Sequence, residues 1–142
     1  MIAAIGVDVV DLARFERAIA RTPGLVDRLF AESEQGRHPR SLAARFAAKE
    51  ALIKALGGDS GLRWHDMVIV SDEHGDPAFE LTGTVAAIAA RRGVRRVHVS
   101  MSHDAGIATA FVVTETDAVP GPGGNDDKGG NDGPGGNDGN DA

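Results

Sequence analysis

Between Ser41 and Leu56 the chain runs through alanine, leucine, lysine and glutamate, with RFAAKEALIK (residues 45–54) at its centre. Such residues lose little side-chain freedom in a helix, so the stretch dictates a long helix that the other elements must pack around. Ser41 is the expected N-cap and Gly57 the expected stop. Leu42, Phe46, Ile53 and Leu56 recur at helical spacing and are expected to face a core. Lys49, Glu50 and Lys54 interrupt the alanines with charge. Glu50 and Lys54 stand four apart, which on a solvated face is a pair worth only a few tenths of a kcal/mol. A functional reading of those charges needs support from elsewhere in the chain.

That support starts at the N-terminus. Residues 2–10, IAAIGVDVV, alternate with the period of a strand, with Gly6 and Asp8 on one face. A carboxylate in so apolar a run is either at an exposed strand end or is paired, hydrogen-bonded or metal-bound. Asp11 can cap a following helix to about Arg21, with Leu12, Phe15 and Ile19 as its apolar stripe. Arg14, Arg17 and Arg21 project together from the other face, and Arg28 follows in a short helical segment ending near Phe30. Such a stripe can simply solubilise the helix; it also forms a field and a set of forked donors for an acidic partner.

Residues 32–40 read as a polar connection and residues 57–61 as a Gly/Asp/Ser loop. Two strands, 67–71 and 78–81, are joined through Gly75, Asp76 and Pro77. An alanine-rich helix over 84–92 stops at Gly93. Strands at 96–101 and 107–114 flank a turn containing Ser102, His103 and Asp104. This mixture of helices with locally paired strands is an α+β pattern.

From about Ala118 the composition changes abruptly. Residues 118–142 hold 9 of the 19 glycines, 3 of the 6 prolines, five Asp and one Lys, with a recurring Gly-Gly-Asn-Asp unit. Nothing there offsets the entropy of ordering, so a disordered acidic tail is expected. The aliphatic position that stacks calcium-binding repeats is missing. The working domain is therefore expected at residues 1–117, where 16 acids face 14 bases. That near-neutral balance, with Trp64 and five Phe as its only aromatic side chains, argues against nucleic acid as a partner. No cysteine is present, no signal sequence is evident and no apolar run reaches the roughly 18 residues of a membrane helix, so a cytoplasmic protein without membrane contact is expected.

Three polar sites thus interrupt apolar elements: Asp8, the Lys49/Glu50/Lys54 group, and Ser102 with His103 and Asp104. Brought together, two carboxylates would be too few for an all-protein cation cage. They suit magnesium completed by phosphate oxygens and water, with Arg45, Lys49, Lys54 and His103 neutralising the phosphates. In outline that is a phosphoryl-transfer site.

The same residues resemble the motifs of the holo-acyl-carrier-protein synthases, the small bacterial type of 4′-phosphopantetheinyl transferase. Gly6, Val7, Asp8 and Asp11 match its first motif, with Asp11 where the family usually has Glu. Phe46, Lys49, Glu50 and Lys54, preceded by Arg45, match its second, and Ser102 and His103 its late turn. The resemblance spans residues 2 to about 115. It implies a phosphopantetheinyl-transferase-like fold, an antiparallel sheet packed with the long central helix. It also implies magnesium-dependent transfer of the 4′-phosphopantetheine arm of coenzyme A to a serine of apo acyl carrier protein, releasing adenosine 3′,5′-bisphosphate.

Residue by residue, the resemblance implies that Asp8 and Glu50 bind magnesium. Lys49 and Arg45 would hold phosphate oxygens, Lys54 would steady the transition-state or leaving-group charge, and His103 would contact the nucleotide phosphates. For the base, Glu50, a water on the metal and Asp104 all stand as candidates. Arg14, Arg17, Arg21 and Arg28 acquire a natural partner in the acidic carrier protein, and a homotrimer with active sites between subunits is implied. Two rivals predict different outcomes: a noncatalytic module binding an acidic protein through the arginine helix, and a magnesium-dependent nucleotide hydrolase.

Overall fold

The computed structural model describes residues 1–58 and 61–117; the expected tail at 118–142 and part of the 57–61 loop lie outside the described residues. Along the chain run β1 (Ile2–Asp11), α1 (Leu12–Arg21), α2 (Leu25–Leu29), a 3-10 turn at Glu32–Glu34, α3 (Pro39–Ala55) and a second 3-10 turn at Trp64–Asp66. They are followed by β2 (Met67–Ser71), β3 (Pro77–Leu81), α4 (Gly83–Arg91), β4 (Val94–Asp104) and β5 (Ile107–Thr116). Strands β1, β5 and β4 form one antiparallel sheet in that order, and β2 and β3 form a separate hairpin. The α+β class and the long central helix are as expected from the sequence.

Helix α3 lies across the inner face of the three-stranded sheet, and its composition sets how closely. Ala43, Ala44, Ala47, Ala48, Ala51 and Ala55 are all buried, and they meet Ala108, Ala110 and Val112 of β5. Small side chains on both surfaces let the backbones approach. At Gly6 of β1 they nearly touch: a Cβ there would overlap the Ala51 carbonyl oxygen and stand 3.0 Å from the Ala55 nitrogen. Only glycine fits this position. Because side chains alternate along a strand, Asp8 shares this inner face with Gly6 and so points toward the helix.

The sequence misplaces several details of α3. The helix begins at Pro39, with His38 as N-cap accepting from the Arg40 N–H at 3.2 Å, rather than at Ser41. Proline fits the first helical position because its missing N–H would have no partner there. The core side is built of alanines with Leu42, Leu52 and Leu56, while Phe46 and Ile53 are only half-buried. Nearly the whole circumference is covered, so a single apolar stripe is the wrong template. The helix does end at Gly57, whose φ of 85° is left-handed.

Strand β4 runs through Ser102 and His103 to Asp104, so the turn is only Ala105 and Gly106, with φ of 49° and 79°. Positive φ at both positions is the two-residue hairpin geometry that matches strand twist. On the outer face of the sheet, Ile5, Val7, Val9, Ile107 and Phe111 are exposed together. Replacing Gly6 with Ala forces the sheet off the helix, and the expected loss is about 1–3 kcal/mol. Denaturant unfolding measures it; a stability equal to the parent's would contradict the close approach.

Candidate active site

The contact at Gly6 places three charged side chains side by side. Asp8 lies two residues along β1, Glu50 immediately precedes Ala51 on α3, and Lys54 follows one turn later. The Lys54 ammonium donates to Asp8 Oδ1 at 2.9 Å and to the Val7 carbonyl at 2.9 Å. Burial pushes the Glu50 carboxyl above its usual range; the Asp8 charge adds to this and Lys54 opposes it. Among the described residues no group of three His, Cys, Asp or Glu side chains forms a cation cage. What exists is a pair of carboxylates with one lysine between them and solvent. A hard cation drawing its remaining ligands from elsewhere would relieve the excess negative charge, so the donor set fits magnesium.

The pair opens into a cavity of about 850 Å³. Phe15, Phe46 and Trp64 line its apolar side. Their rings form a continuous series, Phe15 to Phe46 at 5.6 Å and Phe46 to Trp64 at 5.7 Å, the latter stacked. Arg14 and Arg28 of the arginine stripe stand at the same cavity, whereas Arg17 and Arg21 are exposed elsewhere on α1. Asp11 caps α1 by accepting from the Arg14 N–H at 2.8 Å, so the motif's second acid orients the helix that carries Arg14.

A second cleft, of about 510 Å³, gathers His38, Arg40, Ser41, Arg45, Ser102 and His103. Arg45 is buried, donates to Ser41 Oγ, and keeps a buried Nε with no hydrogen-bond partner. An unspent guanidinium N–H among basic neighbours suits an anion. Burial and the charge of Arg37 lower the Arg45 pKa, Glu34 partly opposing them, and the guanidinium stays charged at any ordinary pH. The cleft does not merge with the carboxylate cavity. Arg45 and Glu50 are five residues apart on α3, which turns them about 140° from each other. One chain therefore carries two separate clefts on different faces.

Two expected site residues lie apart from the Asp8–Glu50 pair. Lys49 was expected on phosphate, yet its side chain is fully buried. Its ammonium donates to Glu34 Oε2 at 2.7 Å, Leu29 O at 2.8 Å and Trp64 O at 3.3 Å. All three protons are spent inside the protein. Asp104, a candidate base, is not at the carboxylate cavity: one carboxylate oxygen accepts from the Ala105 N–H at 2.8 Å, and the residue lines a small cleft with Arg40 and His103, which also line the second cleft. The sequence reading missed Glu34, buried within what looks like a polar connection, and Arg40 with His38. No periodicity marks them; only the tertiary fold does.

The chain matches the model of the 4′-phosphopantetheinyl transferase superfamily over residues 4–112. The holo-[acyl-carrier-protein] synthase of Clavibacter michiganensis subsp. michiganensis is 70% identical over 118 residues, covering 83% of this chain and 99% of that protein. Its counterpart in Leifsonia xyli subsp. xyli is 69% identical over 118 residues, covering 83% and 100%. Among solved structures, the holo-[acyl-carrier-protein] synthase of Neisseria meningitidis superposes with a TM-score of 0.72 at 33% identity, covering 82% of this chain and 100% of that one. The Helicobacter pylori synthase in complex with coenzyme A gives 0.70 at 32% identity, covering 78% and 99%.

The Glu50 shift has a measurable sign. A carboxyl raised above 4.5 in the folded protein binds its proton more tightly there than in the unfolded chain. Its contribution to stability is fully present below about pH 4.5 and is lost as pH rises through the folded value. Glu50→Gln, without added divalent ions, is therefore expected to melt above the parent near neutrality, the gap closing as pH falls. A variant that melts below the parent at pH 7, or a gap that does not change with pH, would contradict the crowding of the pair.

Proposed function

The chain belongs to the 4′-phosphopantetheinyl transferase superfamily, and from that membership together with the site we infer its reaction. It is an enzyme that moves the 4′-phosphopantetheine group of coenzyme A onto a serine of apo acyl carrier protein, leaving adenosine 3′,5′-bisphosphate. The observation that carries this reading is the convergence of Asp8, Glu50 and Lys54 beside a cavity that also presents Arg14 and Arg28. The serine oxygen attacks the pantetheine-bearing phosphorus, its proton passes to a base, and the bond to the adenosine-bearing phosphate breaks. Glu50, whose carboxylate burial and the Asp8 charge make more basic than an ordinary one, is suited to accept that proton.

Asp8 and Glu50 fit magnesium, which when bound supplies positive charge to the pyrophosphate oxygens. Lys54 holds Asp8 in place and its exposed ammonium is available to the developing leaving-group charge. Arg45 and His103, with Arg40 alongside, offer the anion site for the nucleotide's phosphates. Arg14 and Arg28 at the mouth, with Arg17 and Arg21 beyond, are the docking side for the acidic carrier, where opposite charge speeds encounter.

Coenzyme A needs both half-sites at once, and one chain holds them apart. A ring of copies resolves this, the phosphate cleft of one meeting the carboxylate cavity of the next, as a head-to-tail interface that closes. The exposed Ile5, Val7, Val9, Ile107 and Phe111 supply an apolar face for that contact. A homotrimer is the assembly we propose, working in the cytoplasm. Among the described residues no helix is long and apolar enough to cross a membrane.

Intact-mass analysis of apo carrier protein with coenzyme A and magnesium tests the reaction. The carrier is expected to gain one phosphopantetheine, and the gain to vanish with chelator, Asp8→Asn or Glu50→Gln. Phosphate release without carrier modification would point instead to a hydrolase. The ring is tested by co-refolding Asp8→Asn with Arg45→Ala: each inactive alone, together they are expected to recover about a quarter of the sites. No recovery from a mixed assembly would place both half-sites of one reaction in one chain.

A further inference from the structure

The buried Glu34–Lys49 pair is unused by the chemistry, and its bonds reach an unusual set of places. Glu34 Oε1 accepts from the Ile69 N–H at 3.0 Å, and Oε2 from the Ala31 N–H at 3.0 Å as well as from Lys49. Lys49 holds the carbonyls of Leu29 and Trp64. Five segments therefore meet at one ion pair: the end of α2, the turn after it, α3, the turn at Trp64 and β2. Leu29 and Trp64 themselves line the carboxylate cavity, and Arg28 at its mouth is the neighbour of Leu29. One turn before Lys49 on α3, Phe46 stacks on Trp64.

The cavity's outer wall is thus two short pieces of chain, α2 and the Trp64 turn. Their carbonyls converge on a single ammonium, with one further link from the His65 ring to the Asp27 carbonyl. A helix of five residues is too short to hold its own position in water, so these tertiary bonds set where Arg28 and Trp64 stand. We propose that Glu34 and Lys49 are positioning residues for carrier docking, fixing the spacing of Arg28 and Trp64 across the cavity mouth. This inference rests on the reading of Arg28 as a carrier contact.

The test uses the full chain and separates the two substrates. Lys49→Met alone leaves a buried unpaired carboxylate and is prone to unfold, so the informative variant is the neutral pair Glu34→Gln/Lys49→Met. With the fold retained by circular dichroism, its KM for the carrier is expected to rise about fivefold or more. Its KM for coenzyme A and its kcat stay within about twofold. Trp64 is the single tryptophan of the chain, so its fluorescence reports the wall directly, and acrylamide quenching is expected to increase.

Unchanged carrier KM and unchanged quenching in the folded variant would overturn the proposal, leaving the pair a matter of stability alone. A rise confined to the KM for coenzyme A would overturn it too and return Lys49 to the phosphates. If the double variant does not fold, Glu34→Asp, which keeps both charges but draws the carboxylate back by one methylene, carries the test, with a smaller rise in carrier KM and the same quenching change; neither appearing would overturn it. Arg28→Ala checks the premise: it is expected to raise the carrier KM without altering Trp64 quenching. No rise there would remove the docking reading, and the proposal with it, even if Trp64 quenching responds in the double variant.

Discussion

The structure depends on how closely β1 can lie against α3. Glycine at position 6 and alanine along the helix allow backbone to meet backbone, and everything polar in the site is placed by that contact. Asp8 shares the face of Gly6, Glu50 and Lys54 flank Ala51, and their separation follows from strand and helix geometry rather than from flexible loops. A site mounted on regular elements holds its spacing better than one mounted on loops. The alanines in α3 that look like filler are what bring two carboxylates together.

Electrostatics then divides the labour along one helix. Lys49 and Glu50 are adjacent in sequence, yet about 100° of helical rotation sends one inward and the other to the cavity. Inside, Lys49 finds Glu34 and two carbonyls, so a charge that burial disfavours is fully partnered. At the cavity, Glu50 gains no such partner, and burial together with Asp8 raises its pKa. The first arrangement shapes the wall; the second leaves an anionic site open to a cation and a proton. Arg45, a further turn toward the N-terminus, stands on a different face and keeps a buried Nε without a hydrogen-bond partner.

Much of this is legible in the sequence, for physical reasons that can be named. Strand alternation puts Gly6 and Asp8 on one face, and Glu50 and Lys54 one turn apart must be neighbours, so the convergence of Asp8, Glu50 and Lys54 follows once the elements pack. Asp11 reads correctly as a helix cap because capping is local. What the sequence hides is tertiary: Lys49 looks like a phosphate ligand until Glu34, fifteen residues earlier, is found buried against it. Asp104 reads as part of a turn, yet it ends β4, with one carboxylate oxygen accepting from the Ala105 N–H. The division of the basic residues between two clefts is equally invisible, since it depends on which side of α3 the ends of β1 and β4 reach.

The central claim is that Asp8 and Glu50 jointly hold the cation that serves the pyrophosphate. Anomalous diffraction from crystals grown with manganese in place of magnesium and with coenzyme A measures that most directly. A metal peak touching both carboxylates and the pyrophosphate is the predicted result. A peak on the nucleotide phosphates alone, with Asp8 still bonded to Lys54 and Glu50 uncoordinated, would contradict it.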